Sequence, residues 1–291
     1  MFKRLKYYLS EMFPLSSLIG TLVTAISIQF VFLRLSGHPI KFHLLFLTSG
    51  VFTVSLSLLL RVMDEFKDYE DDKKNFPTRP LPSGKVYPAD LKLLGWICVL
   101  LMILSSLGNL KILFLALIVL GYTFLMLKWF FIEEKMRKSL PIAFLSHHPI
   151  VFINIFYLLF ALTQMIPDIQ LINILLILPI PLIFTNWELA RKIRAPQDET
   201  TYTTYSKIIG PRIAVILCIF IQLIIFLGVV NIFNLLETSV LIKYSFGFLF
   251  FLSSYQFWQF GLNPYKSVSL KKNAEAQILI VIFCLLWASL W

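Results

Sequence analysis

Cysteine is scarce in this 291-residue chain, and so is charge. Only three cysteines occur (Cys98, Cys218, Cys284). All three fall in apolar runs, without C-x-x-C spacing or neighbouring histidines, so they read as small buried hydrophobes. A disulfide framework or a cysteine-ligated metal is thereby not expected. Charged residues make up 14% of the sequence, and acids are the rarer sign, 16 against 26 lysines and arginines. The N-terminal basic stretch (Lys3, Arg4, Lys6) precedes an apolar run long enough to span a membrane. No small-residue cleavage site follows a short core, so a cleaved signal peptide is not expected.

Apolar residues are abundant, at 58%, with a mean hydropathy of +0.80. Soluble domains contain about 45–50%. The excess is gathered into runs of ~20 residues, the length that crosses a ~30 Å hydrocarbon core. Such runs must be helical, because lipid offers no partner to a backbone N–H or C=O. The expected fold is therefore all-α. Nine spans are predicted, at about 14–35, 42–62, 92–108, 111–128, 141–166, 170–187, 208–231, 241–260 and 274–291. With the N-terminus inside, 22 of the 26 basic residues fall in the N-terminal segment and in the stretches 61–92, 128–138, 191–212 and 266–272. This bias predicts a cytoplasmic N-terminus and cytoplasmic charged loops. It also assigns the net charge of +10 to inner loops rather than to nucleic-acid binding.

The two richest loops follow the second and sixth spans. In 64-DEFKDYEDD-72, Asp64, Asp68 and Asp72 recur every four residues. Four residues advance a helix by ~400°, which keeps all three on one face. Like charges at that spacing repel, an arrangement that suits a divalent cation among them. Mg²⁺ takes oxygen ligands, commonly one or two carboxylates plus substrate phosphates. The bland alternative is a solvated acidic helix end interleaved with Lys67, Lys73 and Lys74. The loop continues as 75-NFPTRPLPSGK-85, stiffened by three prolines, with Arg79 placed to fold back over the acids. Arginine is suited to bidentate phosphate contact.

These two pieces in tandem resemble the first signature of the UbiA-type intramembrane prenyltransferases, a family that usually has nine transmembrane helices around a central cavity. The family pattern is Asn-Asp-x-x-Asp-x-x-x-Asp. Here Asp64 stands at the Asn position and Glu65 at the first Asp, while Asp68 and Asp72 are retained. The second signature, Asp-x-x-x-Asp after the sixth helix, is matched at Glu188 but not at Lys192. The resemblance implies a single domain over residues 1–291. It implies Mg²⁺-dependent transfer of a prenyl group from an isoprenoid diphosphate to an unidentified acceptor within the membrane. The implied metal ligands are Asp64, Glu65, Asp68, Asp72 and Glu188. Arg79, Tyr122, Lys128, Arg191, Lys192, Arg194 and Lys207 are implied diphosphate contacts.

Two readings of the second loop stay open. In one, Glu188 ligates Mg²⁺ while Arg191, Lys192 or Arg194 touches phosphate; in the other, Asp198 or Glu199 supplies the missing acid. The basic trio also suits anchoring at an anionic leaflet. Tyr122 has no lysine four residues on, only Lys128 nearby, and fits an interfacial belt residue equally. His147 and His148, before Pro149, are candidates for a base or for helix–helix hydrogen bonds. Three other functions remain in view: a terpene cyclase on the same scaffold, a transporter with intramembrane carboxylates, and a structural membrane protein.

Overall fold

In a computed structural model, residues 1–41, 43–162, 170–200, 203–265 and 268–291 are described. Lys266, the end of the fifth predicted span (163–166) and part of its outer connection lie outside them. The chain runs α1 (Phe2–Met12), α2 (Leu15–Leu35), α3 (Leu44–Lys67), α4 (Tyr69–Asn75), α5 (Pro88–Leu104), α6 (Leu110–Leu127), α7 (Glu133–Lys138), α8 (Leu140–His147), α9 (Pro149–Ala161), α10 (Leu171–Ile177), α11 (Leu182–Ala190), α12 (Tyr205–Ile209), α13 (Pro211–Leu235), α14 (Val240–Leu262) and α15 (Leu270–Leu290). No strand occurs among the described residues.

The expectation of nine spans is only partly met. Among the described residues, seven helical segments are long and apolar enough to cross a membrane. Two predicted spans fall short for different reasons. α5 has 17 residues, about 26 Å at 1.5 Å per residue, less than the hydrocarbon core. α14 has 23 residues, but Lys243, Ser253, Ser254, Gln256 and Gln259 dilute its apolar character.

Two spans predicted as continuous are interrupted. α8 gives way to α9 at Pro149, and α10 to α11 across Pro179 and Pro181, because proline lacks the N–H that continues a helix. Gly228 of α13 faces the second break. A Cβ there would lie 2.3 Å from Pro179 Cγ, so the missing side chain is what lets the two segments approach.

Two compact units are apparent. The first holds 1–26, 42–133 and 156–162; the second holds 27–41, 134–155 and 163–291. In the first, α3 packs chiefly on α5. Beneath its charged loop lies a cluster of Tyr8, Val62, Leu81, Val86, Leu91 and Leu94. α1 is fastened to this loop: Arg4 donates to both oxygens of Asp90 at 2.6 and 2.9 Å, and Lys85 Nζ donates to the Tyr7 hydroxyl at 3.1 Å. In the second, α11, α13, α14 and α15 pack together. A buried polar chain ties them. Asn186 donates to Gln277 at 2.7 Å, and Gln277 donates to Ser254 at 2.9 Å. At membrane depth such groups require internal partners.

Candidate functional site

The acidic stretch of the first unit straddles two helices rather than lying on one. α3 ends at Lys67, and Asp68 (φ −99°, ψ 9°) separates it from α4. The i→i+4 backbone bonds nevertheless continue through the junction. Asp68 N–H donates to Asp64 C=O at 2.9 Å, Asp72 to Asp68 at 2.7 Å, and Phe76 to Asp72 at 2.7 Å. The helical phase is thereby carried across the break, and the three acids stay in register.

Their surroundings differ. Asp64 is exposed, Asp68 half-buried and Asp72 buried. Burial pushes the Asp68 carboxyl up to about 6; the neighbouring Asp64 carboxylate adds to this, and Lys67 opposes it. Asp72 is held by Arg79, whose Nη1 donates to both carboxylate oxygens at 2.6 Å. Arg79 also lies 4.2 Å over the Phe76 ring. Glu65, 1% exposed, pairs through Oε1 with Arg61, while Oε2 has no hydrogen-bond partner. Lys67 sits 4.1 Å over the Trp129 ring, in a turn where Trp129, Phe130 and Phe131 all adopt positive φ. Three consecutive left-handed residues without a glycine store backbone strain.

Sequence reading missed Arg61 and Trp129. The i,i+4 spacing of Arg61 to Glu65 was an available signal for the first. Nothing local signals the contact of Trp129 with Lys67, 62 residues away. Tyr122 packs edge-on against Phe130, with centroids 5.3 Å apart, and Lys128 is an exposed cap of α6.

The second unit carries a separate polar end. Glu188 accepts from Arg191 Nε at 2.6 Å and Nη2 at 2.8 Å, and from Lys192 Nζ at 3.2 Å. Both cations are thus joined to the one acid that matches the second family signature. The chain then folds back, with Tyr205 N–H donating to Lys192 C=O at 2.9 Å. Glu199 is taken up inside this loop, accepting from the Thr204 hydroxyl at 2.8 Å and the Ser206 hydroxyl at 2.5 Å. Asp198 ends an exposed 3₁₀ turn. Arg194 Nη1 donates to Thr200 at 3.0 Å, and Lys207 Nζ to the Thr200 carbonyl. His148 Nε2 lies 2.6 Å from Thr185 Oγ1, joining the α8–α9 break to α11. His147 contacts the Ala143 carbonyl at 2.9 Å.

Among the described residues, no three Asp, Glu, His or Cys groups converge closely enough to hold a metal by themselves. Hard oxygen donors are present all the same. Asp64 and Asp68 adjoin one another, and Glu65 keeps one oxygen without a partner. This donor set fits Mg²⁺ shared with substrate phosphates, and does not fit an all-protein cage.

No family model matches the chain, and no curated protein sequence matches it. Solved structures do. A structure of digeranylgeranylglyceryl phosphate synthase is similar over 99% of each chain, at 17% identity and a TM-score of 0.62. The apo structure of a UbiA homolog from Aeropyrum pernix K1 is similar over 92% of this chain and 96% of that one, at 15% identity and a TM-score of 0.67. The chain therefore has the fold of the UbiA-type membrane proteins over nearly its whole length, the same family that its first acidic motif resembles.

Proposed function

We propose that the protein is a membrane prenyltransferase, moving a prenyl group from an isoprenoid diphosphate to an acceptor in the bilayer with the help of Mg²⁺. The observation that carries this reading is the acidic register Asp64–Asp68–Asp72 with Arg79 folded onto its last member, in a chain with this fold. One structural neighbour is named for a synthase of a prenylated glyceryl phosphate, which agrees with the assignment.

Asp64 and Asp68 are the ligands we assign to the ion. When bound, Mg²⁺ neutralises charge developing on the departing diphosphate. Asp72 acts differently, by holding Arg79 in position. The remaining guanidinium N–H groups of Arg79 are free in geometry to meet a phosphate oxygen. Lys67, between the acids, offsets part of their repulsion. In the second unit, Glu188 holds Arg191 and Lys192 together, a paired basic group whose chemistry suits phosphate. The clustering of acids at helix ends argues against a transporter, whose carboxylates belong on broken helices at the midplane. A cyclase on this scaffold uses the same diphosphate chemistry, with the isoprenoid's own double bond as nucleophile.

The test is incubation of purified protein with prenyl diphosphates of several chain lengths, Mg²⁺ and a membrane lipid extract, with products identified by mass spectrometry. A prenylated acceptor supports transfer, a cyclic hydrocarbon supports cyclisation, and intact diphosphates throughout overturn both.

A further inference from the structure

A second polar site lies at the far end of the second unit, about 37 Å along α13 from Pro211 by the rise of its 25 residues. There a cavity of about 310 Å³ is lined by Glu237, Thr238, Ser239, Ile242, Trp287 and Trp291, together with Ala288. That volume is at the lower end for small-ligand pockets. The C-termini of α13 and α15 and the N-terminus of α14 meet at it.

Glu237 breaks two local rules at once. It occupies the residue after the α13 cap with φ +54°, the left-handed position that glycine or asparagine normally fills. The turn there is otherwise regular, with Thr238 N–H donating to Phe233 C=O at 3.0 Å. Glu237 also places a carboxylate at a helix C-terminus, where the macrodipole favours a cation. Glu237 is exposed, and its carboxylate has no ion-pair or hydrogen-bond partner among the described residues. The nearest basic side chain in sequence, Lys243, is instead engaged by Asn234 Oδ1 at 2.8 Å. Departures from local preference are expected at functional or strained sites. In the same lining, the exposed Trp287 and Trp291 rings stand 6.2 Å apart at 32°, an aromatic face suited to a cation.

We propose that this cavity binds a primary ammonium group, with Glu237 as counter-ion and the two tryptophans as the aromatic face. Thr238 and Ser239 offer hydroxyl acceptors beside it. The ammonium belongs to an ethanolamine-type lipid headgroup or to a free amine, and the site is independent of the diphosphate chemistry.

The experiment is thermal unfolding of the purified full chain in nanodiscs of phosphatidylglycerol alone or mixed with phosphatidylethanolamine, and in phosphatidylglycerol nanodiscs with free ethanolamine added. The parent should unfold about 2–4 °C higher when either amine is present at saturation. A shift only in the mixed nanodiscs assigns the site to the lipid, and a shift with ethanolamine alone assigns it to the free amine. Glu237→Gln and Trp287→Leu should lose most of the shift. Glu237→Gly should unfold higher than the parent without amine, because glycine suits the left-handed position, and should not respond to amine. Equal shifts in parent and Glu237→Gln, or none in the parent, overturn the proposal.

Discussion

A single nitrogen of Arg79 donates to both carboxylate oxygens of Asp72 at 2.6 Å. The acid is buried at 6% exposure, and the arginine reaches it across a seven-residue, proline-bearing turn. A buried carboxylate without its cation is strongly disfavoured, so this contact fixes the turn that follows α4. It also holds a guanidinium within the acidic stretch, at Asp72, which is how one ion pair bears on both the fold and the proposed chemistry.

Arg79→Ala should therefore lower stability by ~1–3 kcal/mol, since it leaves a buried acceptor unpaired, and should raise the KM for prenyl diphosphate. Arg79→Lys should recover most of the stability but less of the KM, because an ammonium lacks the planar fork. Denaturant unfolding and steady-state kinetics on the same preparations check both. Equal recovery of the two quantities would contradict a separate phosphate contact.

Lys192 is the sharpest departure from the family pattern, and its Nζ lies 3.2 Å from Glu188. Lys192→Ala should lose roughly ten- to several-hundred-fold in kcat/KM, as expected for a charged contact worth a few kcal/mol. Lys192→Asp restores the family spacing and places a second acid four residues from Glu188. It should retain measurable activity with a steeper dependence on Mg²⁺ concentration. Parent-like behaviour of both variants at every Mg²⁺ concentration would mean that Lys192 has no part in binding phosphate or metal.

Asp68 predicts a pH dependence. Its carboxyl is pushed up to about 6 from an ordinary 3.8 by burial and by the carboxylate of Asp64. The folded state therefore holds a proton there that the unfolded chain has lost. Without metal, this site favours folding fully below about pH 4, and the contribution disappears as pH rises through about 6. Mg²⁺ competes for the same oxygens, so stabilisation by the ion should run the opposite way, weak at pH 5 and full by pH 7.5. Melting temperatures across that range, with and without Mg²⁺ in the presence of inorganic diphosphate, check it. Asp68→Asn should flatten both dependences.

Orientation is testable at Ser83, an exposed residue of the same loop. The basic-residue bias predicts that Ser83→Cys resists membrane-impermeant thiol reagents in intact cells and reacts once the membrane is opened. Labelling in intact cells would reverse the orientation.

Several features were legible in the sequence because they follow from composition or period. The apolar runs located α2, α3 and α6 within a few residues, and the four-residue acid period survived the break at Asp68. What escaped depended on tertiary partners. The 11-residue α1 read only as a basic stretch, because its docking rests on Tyr8 fitting among Val62, Leu81 and Leu94, and on the pairing of Arg4 with Asp90, 86 residues away. Pro149, Pro179 and Pro181 were visible, yet the apolar runs around them hid the interruptions. Gly228, which accommodates Pro179, carries no signal of its own. Glu188, Arg191 and Lys192 were all identified as candidates, but a motif does not show that the two cations are joined to the acid.

The most direct measurement is release of inorganic diphosphate from a prenyl diphosphate by the purified protein, followed with and without Mg²⁺ in the parent and in Asp68→Ala. Release by the parent is expected only when Mg²⁺ is present. The variant should lose at least about a hundredfold, of the order expected for a group that stabilises the leaving charge, with melting behaviour showing that it remains folded. Parent-level release by a folded Asp68→Ala protein, or parent release unaffected by removal of Mg²⁺, would contradict this expectation.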